Sequence, residues 1–202
     1  MFTIQSLLKA QLATLRPTQM TVGYGEVEKK RRALAKLKRA ERRKRMDEQL
    51  FPIVIGPAKA LYLIDHHHTA LALLEEGADQ IQAGLVKDLS MLGEAAFWTF
   101  LDHYSWMHVY DARGRKRDHR SMPERLQDMK DDRFRSFAND VRDAGGFSKP
   151  AEPFQEFLWA NFFREAFSAK VIDRDRDKAL KKAVELARSS EARHLPGWSG
   201  TK

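Results

Sequence analysis

The sequence has no cysteine, so disulfide bonds, thiolate catalysis and thiolate zinc sites are excluded. It also lacks a run of residues long and apolar enough to predict a membrane-spanning helix. The N-terminus lacks the basic start and apolar core of a secretory signal. A Gly-Lys-Ser/Thr phosphate-binding loop is missing too, which excludes an ordinary P-loop ATPase. We therefore expect a cytoplasmic protein with no membrane partner.

The chain is long enough, at 202 residues, to bury a sizeable core, and its twelve Phe and four Trp indicate that it folds. No internal repeat and no linker-like segment divides it. We therefore expect residues 1–202 to form one unit of the α+β class. A small mixed sheet with helices should occupy the N-terminal half, and the C-terminal half should be helical.

Much of the formal net charge of +8 comes from a basic segment at residues 29–45. This segment falls within a predicted long helix at about 26–46, which has good helix formers and neither Pro nor Gly. Its cations have two interpretations: a helix face in water, or a surface that attracts nucleic acid or a phosphorylated ligand. Charge alone favours the face in water.

Hydrophobic periodicity predicts the other elements in outline. In chain order we expect a short helix at 5–15, a β-hairpin made of 51–55 and 60–64, a helix that ends near Gly77, a strand at 80–86, an aromatic helix from Phe97, a strand at 109–114, a helix from Pro123 to Arg142, a core helix from Phe154, and an amphipathic helix at 178–190.

The most informative stretch is a short apolar strand, 61–64, that feeds directly into the helix ending near Gly77. One carboxylate and three imidazoles lie between the strand and the helix, at Asp65 and at 66–68. Free N–H groups at a helix start make such a turn favourable for an anion such as phosphate. We expect Asp65 to cap the helix by accepting from the N–H groups two or three residues further on.

The three adjacent histidines cannot all converge on one point, because successive helical residues are about 100° apart. At most one or two should face the space above the turn, and the positive helix end should keep the rings neutral. A neutral imidazole can donate to phosphate, accept a proton or ligate a metal. The structural alternative is a cap with histidines filling a polar corner, but three histidines together favour a functional site.

Three parts of the sequence resemble the ParB/sulfiredoxin superfamily. They are 15–19 with the following Gly23 and Glu26, then 51–55, and then 62–68. More narrowly, the chain is similar to the ParB-like nuclease family, and this similarity extends into the helical half at 154–160 and 163–164. The resemblance implies a ParB/sulfiredoxin-like core at 15–90, with a mainly helical extension at 91–202 packed on it.

In that superfamily the turn grips nucleotide phosphates, and its members include CTP-hydrolysing partition proteins, sulfiredoxin and an ADP-dependent serine kinase. Compared with the kinase-like pattern Asp-Gly-His-His-Arg, the chain keeps Asp65, His67 and His68. It has His66 in place of Gly and Thr69 in place of Arg. The missing Arg removes a bidentate phosphate contact.

Other residues could complete such a site. Lys29, Arg135 or Arg142 could replace the missing Arg. The resemblance places Glu26 where kinase-like relatives have a catalytic carboxylate, so it is the candidate general base, although it could also only stabilise a helix N-terminus. The candidate residues are therefore, as catalytic groups, Glu26, Asp65, His67 and His68 and, as ligand-binding groups, Thr18, Gln19, Lys29, His66, Thr69 and Arg135.

These observations support three hypotheses about function. The first is an enzyme of phosphate chemistry that uses a nucleotide or phosphorylated small molecule, with Mg²⁺ as the expected cofactor. Nucleotide hydrolysis, phosphoryl transfer and phosphodiester cleavage all remain open. The second is a DNA-binding partition-like protein that uses the basic helix 29–45, although no helix-turn-helix is evident. The third is a non-catalytic interaction module.

Overall fold

The computed structural model describes residues 2–149 and 153–200, which divide into two compact units. The first, here the N-terminal unit, contains the described residues up to Val22 together with Glu26–Asp131. The second, here the helical unit, contains Gly23–Gly25 and the described residues from Asp132 onward. That the whole chain forms one packed unit stays a prediction.

The N-terminal unit is organised around a five-stranded mixed sheet with the order β1-β6-β4-β5-β2, counted within the described residues. A second, two-stranded sheet pairs β3 with β7. The strands are β1 (Ser6–Gln11), β2 (Arg16–Pro17), β3 (Thr21–Val22), β4 (Phe51–Ile55), β5 (Leu61–Leu63), β6 (Gln80–Asp88) and β7 (Lys130–Asp131).

The described residues also form helices, and the fold class is α+β, as the sequence predicted. The helices are α1 (Tyr24–Ala35), α2 (Arg39–Glu48), α3 (His67–Glu75), α4 (Glu94–His103), α5 (Arg133–Asp143), α6 (Gln155–Ala166), α7 (Ala169–Arg174) and α8 (Arg176–Arg188). Within the described ranges, none of them has both the length and the apolar character needed to cross a membrane.

The centre of the sheet matches the prediction from sequence. Strands β4 and β5 form the expected hairpin, with Ile53 opposite Leu63 in antiparallel register. Both side chains are fully buried. A strand that is covered on both faces typically has a continuous apolar run, and these two strands fit that pattern. The predicted strand at 80–86 is confirmed as β6, and the aromatic helix from Phe97 is confirmed within α4.

The predicted helix at 5–15 is wrong for most of its length, because Ser6–Gln11 forms strand β1 and only Leu12–Thr14 forms a turn of 3-10 helix. Six antiparallel pairs join β1 to β6, from Ser6 opposite Leu85 to Gln11 opposite Gln80. The Leu, Ala, Lys and Gln residues favour a helix, but helix propensity is a weak preference that a ladder of strand hydrogen bonds overrides. Leu7 is left 62% exposed on this edge strand.

The single long helix predicted at 26–46 is also wrong, because the chain breaks between α1 and α2. The carbonyl of Leu34 accepts from the Leu37 N–H and from the Arg42 guanidinium, at 3.1 Å each. The Glu41 carboxylate accepts from the Lys38 N–H at 2.9 Å, at the start of α2. These contacts satisfy groups at both helix ends, so the chain can reverse without Pro or Gly.

Two further predictions are corrected between α4 and α5. Residues 109–114 were expected to form a strand running into a turn; the turn is present, but the strand is reduced to an isolated bridge between Tyr110 and Lys116. The helix expected to open at Pro123 begins only at Arg133, where Asp132 accepts from the N–H groups of the first turn. A capping carboxylate fixed this helix start more strongly than the proline did.

The helical unit packs α5, α6 and α8 around aromatic rings. Phe137, Trp159 and Phe163 are fully buried, and Ala183 and Ala187 bring α8 close to them. The predicted core helix from Phe154 is confirmed as α6, and the last amphipathic helix is confirmed as α8.

Candidate functional site

The turn between β5 and α3 is built around a left-handed residue. His66 has φ 64° and ψ 24° and is the N-cap of α3. Its carbonyl accepts from the N–H groups of Thr69 and Ala70 at 3.0 and 2.9 Å. A positive φ is a conformation that favours glycine, which agrees with the Gly of the kinase-like pattern at this position.

The prediction that Asp65 caps α3 from two or three residues away is wrong. Its Oδ1 accepts from the N–H of the next residue, His66, at 2.6 Å. Because the chain turns through the left-handed conformation here, the carboxylate meets this nearest N–H. Asp65 itself is exposed, so its carboxylate stays accessible.

His67 is a buried connection between two parts of the candidate site. Its Nε2 accepts from the Thr18 N–H at 3.2 Å, so this nitrogen carries no proton. Its Nδ1 therefore carries the proton, and the ring hydrogen-bonds with the Leu63 carbonyl. The Thr18 hydroxyl donates to the same carbonyl at 2.9 Å. His67 and Thr18 thus hold β5, the loop at 18–20 and the start of α3 in one arrangement.

Burial lowers the pKa of His67 to about 4, against weaker opposing effects of Asp65 and the Leu63 carbonyl. The ring is therefore neutral at physiological pH, as predicted, but the main cause is desolvation and not the helix end. Both ring nitrogens have partners within the protein. This geometry gives His67 a positioning role, and its catalytic role stays a prediction.

Gln19 is buried in the neighbouring loop and also has an internal partner. Its Nε2 donates to the Thr21 carbonyl at 3.0 Å, and the backbone on either side pairs with His108. His66 meets the Phe51 ring edge to face at 6.0 Å, and His68 is half-buried. Of the three imidazoles, only His67 is fully buried. Ligand contacts of Gln19 and His66, and a catalytic role for His68, stay predictions.

A pocket of about 190 Å³ opens among α1, α2 and α3. Two residues predicted from sequence to bind a ligand, Lys29 and Thr69, both line it. Further cations come from Lys30 and Arg45, and no carboxylate is part of the lining in the described residues. The rest of the wall is mainly apolar, from Ala33, Leu34, Met46 and Leu73, with Gln49 at one side.

Glu26 contacts this pocket indirectly, because it forms an ion pair with the lining residue Lys29. One Glu26 oxygen is 3.3 Å from the Lys29 ammonium, and the Glu26 side chain is 20% exposed. On the same helix, Arg31 pairs with Glu75 at 3.3 Å and with Glu76 at 3.0 Å. These pairs tie α1 to the C-terminal end of α3, so the two helices frame the pocket in a fixed arrangement.

The list of candidate residues did not include Lys30, Arg45 or the apolar wall, although both cations belong to the basic segment at 29–45. One signal was available: residues 26, 29, 30 and 33 share one face of a helix by their spacing. The contribution of α2 had no such signal, because it depends on the chain break after α1.

The structure places Arg135 in the helical unit, where it is buried. Its guanidinium donates to the Asn139 side chain at 2.9 Å, lies 3.5 Å from Glu156, and stacks over the Phe157 ring. Arg142 also donates to Asn139, at 3.3 Å. Ligand binding by Arg135 stays a prediction.

The helical unit also contains a buried charge pair. Burial raises the pKa of Asp132, although an Arg164 guanidinium 2.7 Å away opposes that shift. Asp132 also accepts from N–H groups at the start of α5. The pair is a structural element of this unit.

Among the described residues, no group of three metal-ligating side chains is assembled in a way that could hold an ion. Mg²⁺ is the cofactor expected from the sequence, and proteins commonly bind this ion together with substrate phosphates. Its participation stays a prediction.

Comparisons with known proteins agree with this architecture. Residues 8–165 match the family described as "Putative ParB-like nuclease". A crystal structure of protein Atu1540 from Agrobacterium tumefaciens is 40% identical, with a TM-score of 0.90, and the alignment covers 98% of this chain and 100% of that one. No curated protein matches the chain. The chain belongs to the ParB-like nuclease family, and Atu1540 has the same fold.

Proposed function

We propose that this protein binds a nucleotide or another phosphorylated small molecule in the α1–α3 pocket and carries out phosphate chemistry there. One observation carries the proposal. Lys29 and Thr69 are ligand-binding candidates from two separate parts of the sequence, and both line the same cationic pocket. Phosphate is the common biological anion that such a site fits, because ammonium and guanidinium groups bind its oxygens strongly.

The lining suits the two halves of a nucleotide. Lys29, Lys30 and Arg45 would hold phosphate oxygens, and the Thr69 hydroxyl can donate one further hydrogen bond. The apolar wall would contact a base or another apolar group, as in most small-molecule pockets. If Mg²⁺ accompanies the nucleotide, it would offset negative charge on the phosphates.

The proposed reaction is attack of a water or substrate hydroxyl on phosphorus. A new phosphorus–oxygen bond forms while the bond to the leaving oxygen breaks, and the attacking hydroxyl gives its proton to Glu26. A bound phosphate would compete for Lys29, which would release the Glu26 carboxylate for this role. Asp65 and His68 are further candidates at the turn.

Calorimetric titration with nucleoside mono-, di- and triphosphates, with and without Mg²⁺, tests the binding. The double variant Lys29→Ala, Arg45→Ala removes two cations from the pocket. Its control, Lys36→Ala, Arg43→Ala, removes the same charge from exposed residues nearby. We expect the pocket variant to lose at least about tenfold in affinity, as for loss of charged hydrogen bonds. No nucleotide binding by the wild type, or equal losses in both variants, would reject the proposal.

The second candidate function is DNA binding through the basic segment, as part of a partition-like or nuclease-like role. Exposed cations such as Arg43 and Lys44 on α2 favour it. The same control variant tests this alternative. If the control variant fails to bind duplex DNA at about 0.1 M salt while the wild type and the pocket variant still bind it, we infer that the basic segment binds DNA. The third hypothesis is a non-catalytic interaction module. The cytoplasmic location expected from the sequence also stays a prediction.

A further inference from the structure

A second basic surface lies far along the chain from the α1–α3 pocket, at residues 110–120 in the N-terminal unit. This segment, here the basic turn, lies between α4 and β7 and has exposed cations at Arg113, Arg115, Lys116 and Arg120. It shares no residue with the pocket lining. An inference about it therefore does not rest on the proposed function.

Asp111 organises the basic turn from inside. Its Oδ1 accepts from the backbone N–H groups of Arg113 and Arg115 at 2.9 and 3.0 Å. Its Oδ2 accepts from the Arg117 guanidinium at 2.7 Å. A backbone bond from the Asp111 N–H to the Arg115 carbonyl, at 3.0 Å, closes the turn. The turn is therefore held by its own hydrogen bonds before any partner arrives.

The same contacts offset the negative charge of Asp111, but not that of Asp118, whose side chain is 60% exposed. Asp111 is neutralised by Arg117, and Asp118 accepts from the Arg120 N–H at 2.9 Å. Arg113, Arg115 and Lys116 form no ion pair with any residue that the structure describes, so their charges face outward without a partner carboxylate. Such a cluster attracts a polyanion.

Aromatic rings hold both ends of the basic turn. Tyr110 stacks on His108 with centroids 4.7 Å apart and planes at 26°, and Tyr110 is only half-buried. His119 stacks on the buried Trp98 at 5.6 Å and 28°. A partly exposed aromatic ring beside a row of unpaired cations is a pattern typical of single-strand binding, because bases stack on the ring while phosphates meet the cations.

We propose that the basic turn binds single-stranded nucleic acid, with Arg113, Arg115 and Lys116 on successive phosphates and Tyr110 against a base. A duplex keeps its bases stacked inside, so it could use the cations but not Tyr110. An acidic polypeptide would likewise use the charges alone. The contribution of the ring therefore separates the proposed partner from these other polyanions.

The first experiment measures fluorescence anisotropy of labelled single-stranded DNA and RNA of roughly 12 bases, a length within the range that one such surface covers. The turn variant is Arg113→Ala, Arg115→Ala, Lys116→Ala. The control, Lys178→Ala, Lys181→Ala, Lys182→Ala, removes equal charge from exposed residues of the helical unit. Binding of either strand by the wild type supports the proposal and shows which nucleic acid is preferred.

We expect the turn variant to lose at least about tenfold in affinity at about 0.1 M salt, and the slope of log affinity against log salt to fall by about 2. That slope change is the value for three lost phosphate contacts on a single strand. The control should stay within about threefold of the wild type. Equal losses in both variants, or no single-strand binding by the wild type, would overturn the proposal.

The second experiment changes the ring and keeps the charge. Tyr110→Leu should weaken single-strand binding by about tenfold, the lower range for loss of base stacking, and leave duplex binding unchanged. Tyr110→Phe retains the ring and should bind as the wild type does, which separates loss of stacking from misfolding. An unchanged affinity in Tyr110→Leu, or equally tight binding of duplex DNA or polyglutamate, would overturn the single-strand assignment.

Discussion

Two neighbouring regions of the N-terminal unit use their polar residues in opposite ways. At the β5–α3 junction, Thr18 and His67 are buried, and their polar side-chain atoms bond within the protein. In the α1–α3 pocket, Lys29, Arg45 and Thr69 line open space. Polar residues that look alike in a sequence therefore divide into those that hold the scaffold and those that can meet a ligand. Variants of the first kind should change stability, and variants of the second kind should change binding or turnover.

The largest stability effect is expected at His67. His67→Ala removes a buried ring and leaves the buried Thr18 N–H without its acceptor. We expect a loss of about 3 kcal/mol in the free energy of unfolding, from the cavity and the unpaired N–H together. Urea denaturation measures this loss. The half-buried neighbour provides the control, since His68→Ala should cost about 1 kcal/mol or less. Similar losses in both variants would contradict the structural role assigned to the buried His67.

Glu26 provides the matching prediction for the pocket side. Glu26→Gln removes the proposed general base and should lower the rate of phosphate release by about a hundredfold, a typical contribution of such a base. Nucleotide affinity should remain within about threefold, because the cations that bind phosphate are retained.

Glu28→Gln is the matched control for Glu26→Gln, since Glu28 lies on the same helix and pairs with Arg31, which is not part of the pocket lining. We expect the control to turn over as the wild type does. If both variants turn over normally, Glu26 is not the base.

The pH dependence of stability sharpens the scaffold side of the comparison. His67 has a pKa of about 4 in the folded protein, below its ordinary value near 6.5. The unfolded chain therefore binds more protons than the folded one between these values, so stability is complete above about pH 6.5 and falls as the pH drops towards 4.

From pH 7 to pH 5, this group should cost the wild type about 2 kcal/mol in the free energy of unfolding. His67→Gln lacks the titrating ring and should lose correspondingly less over the same interval. Denaturation of both proteins at the two pH values measures the difference. A parallel decline would contradict the buried, neutral state of His67.

The smallest effect is expected at His66, whose backbone has a positive φ. His66→Gly relieves the positive φ and should stabilise the fold by about 1 kcal/mol. Thermal unfolding measures this gain. A matched substitution at the next half-buried histidine, His68→Gly, should instead destabilise, because that residue lies inside α3. A loss of stability in His66→Gly would show that its ring contact with Phe51 outweighs the strain.

Hydrophobic periodicity correctly predicted the elements whose own sequence pattern favours the structure that they adopt. The hairpin of β4 and β5, strand β6 and the core helix α6 follow from short apolar runs and helical spacing. Strand β1 could not be predicted in this way, because its identity depends on pairing with β6, about seventy to eighty residues later.

The candidate site divides along the same line. Lys29 and Thr69 were named as candidates from the sequence, whereas Arg45 was noted only as part of the basic segment at 29–45. In one continuous helix, Lys29 and Arg45 would lie about 24 Å apart, given a rise of 1.5 Å per residue. The break after α1 brings both residues to one pocket. Two side chains hold this break: the Glu41 carboxylate accepts from the Lys38 N–H, and the Arg42 guanidinium donates to the Leu34 carbonyl. No composition rule for helix ends indicates it.

The central claim is that the open pocket, and not the buried junction, receives the phosphorylated ligand. A crystal structure of the protein grown with Mg²⁺ and a non-hydrolysable ATP analogue tests it most directly. We expect phosphate oxygens within hydrogen-bonding distance of Lys29, Lys30 or Arg45, with the Thr18–His67 hydrogen bond unchanged. Phosphates bound elsewhere on the chain, or a His67 side chain released from Thr18 to contact them, would contradict it.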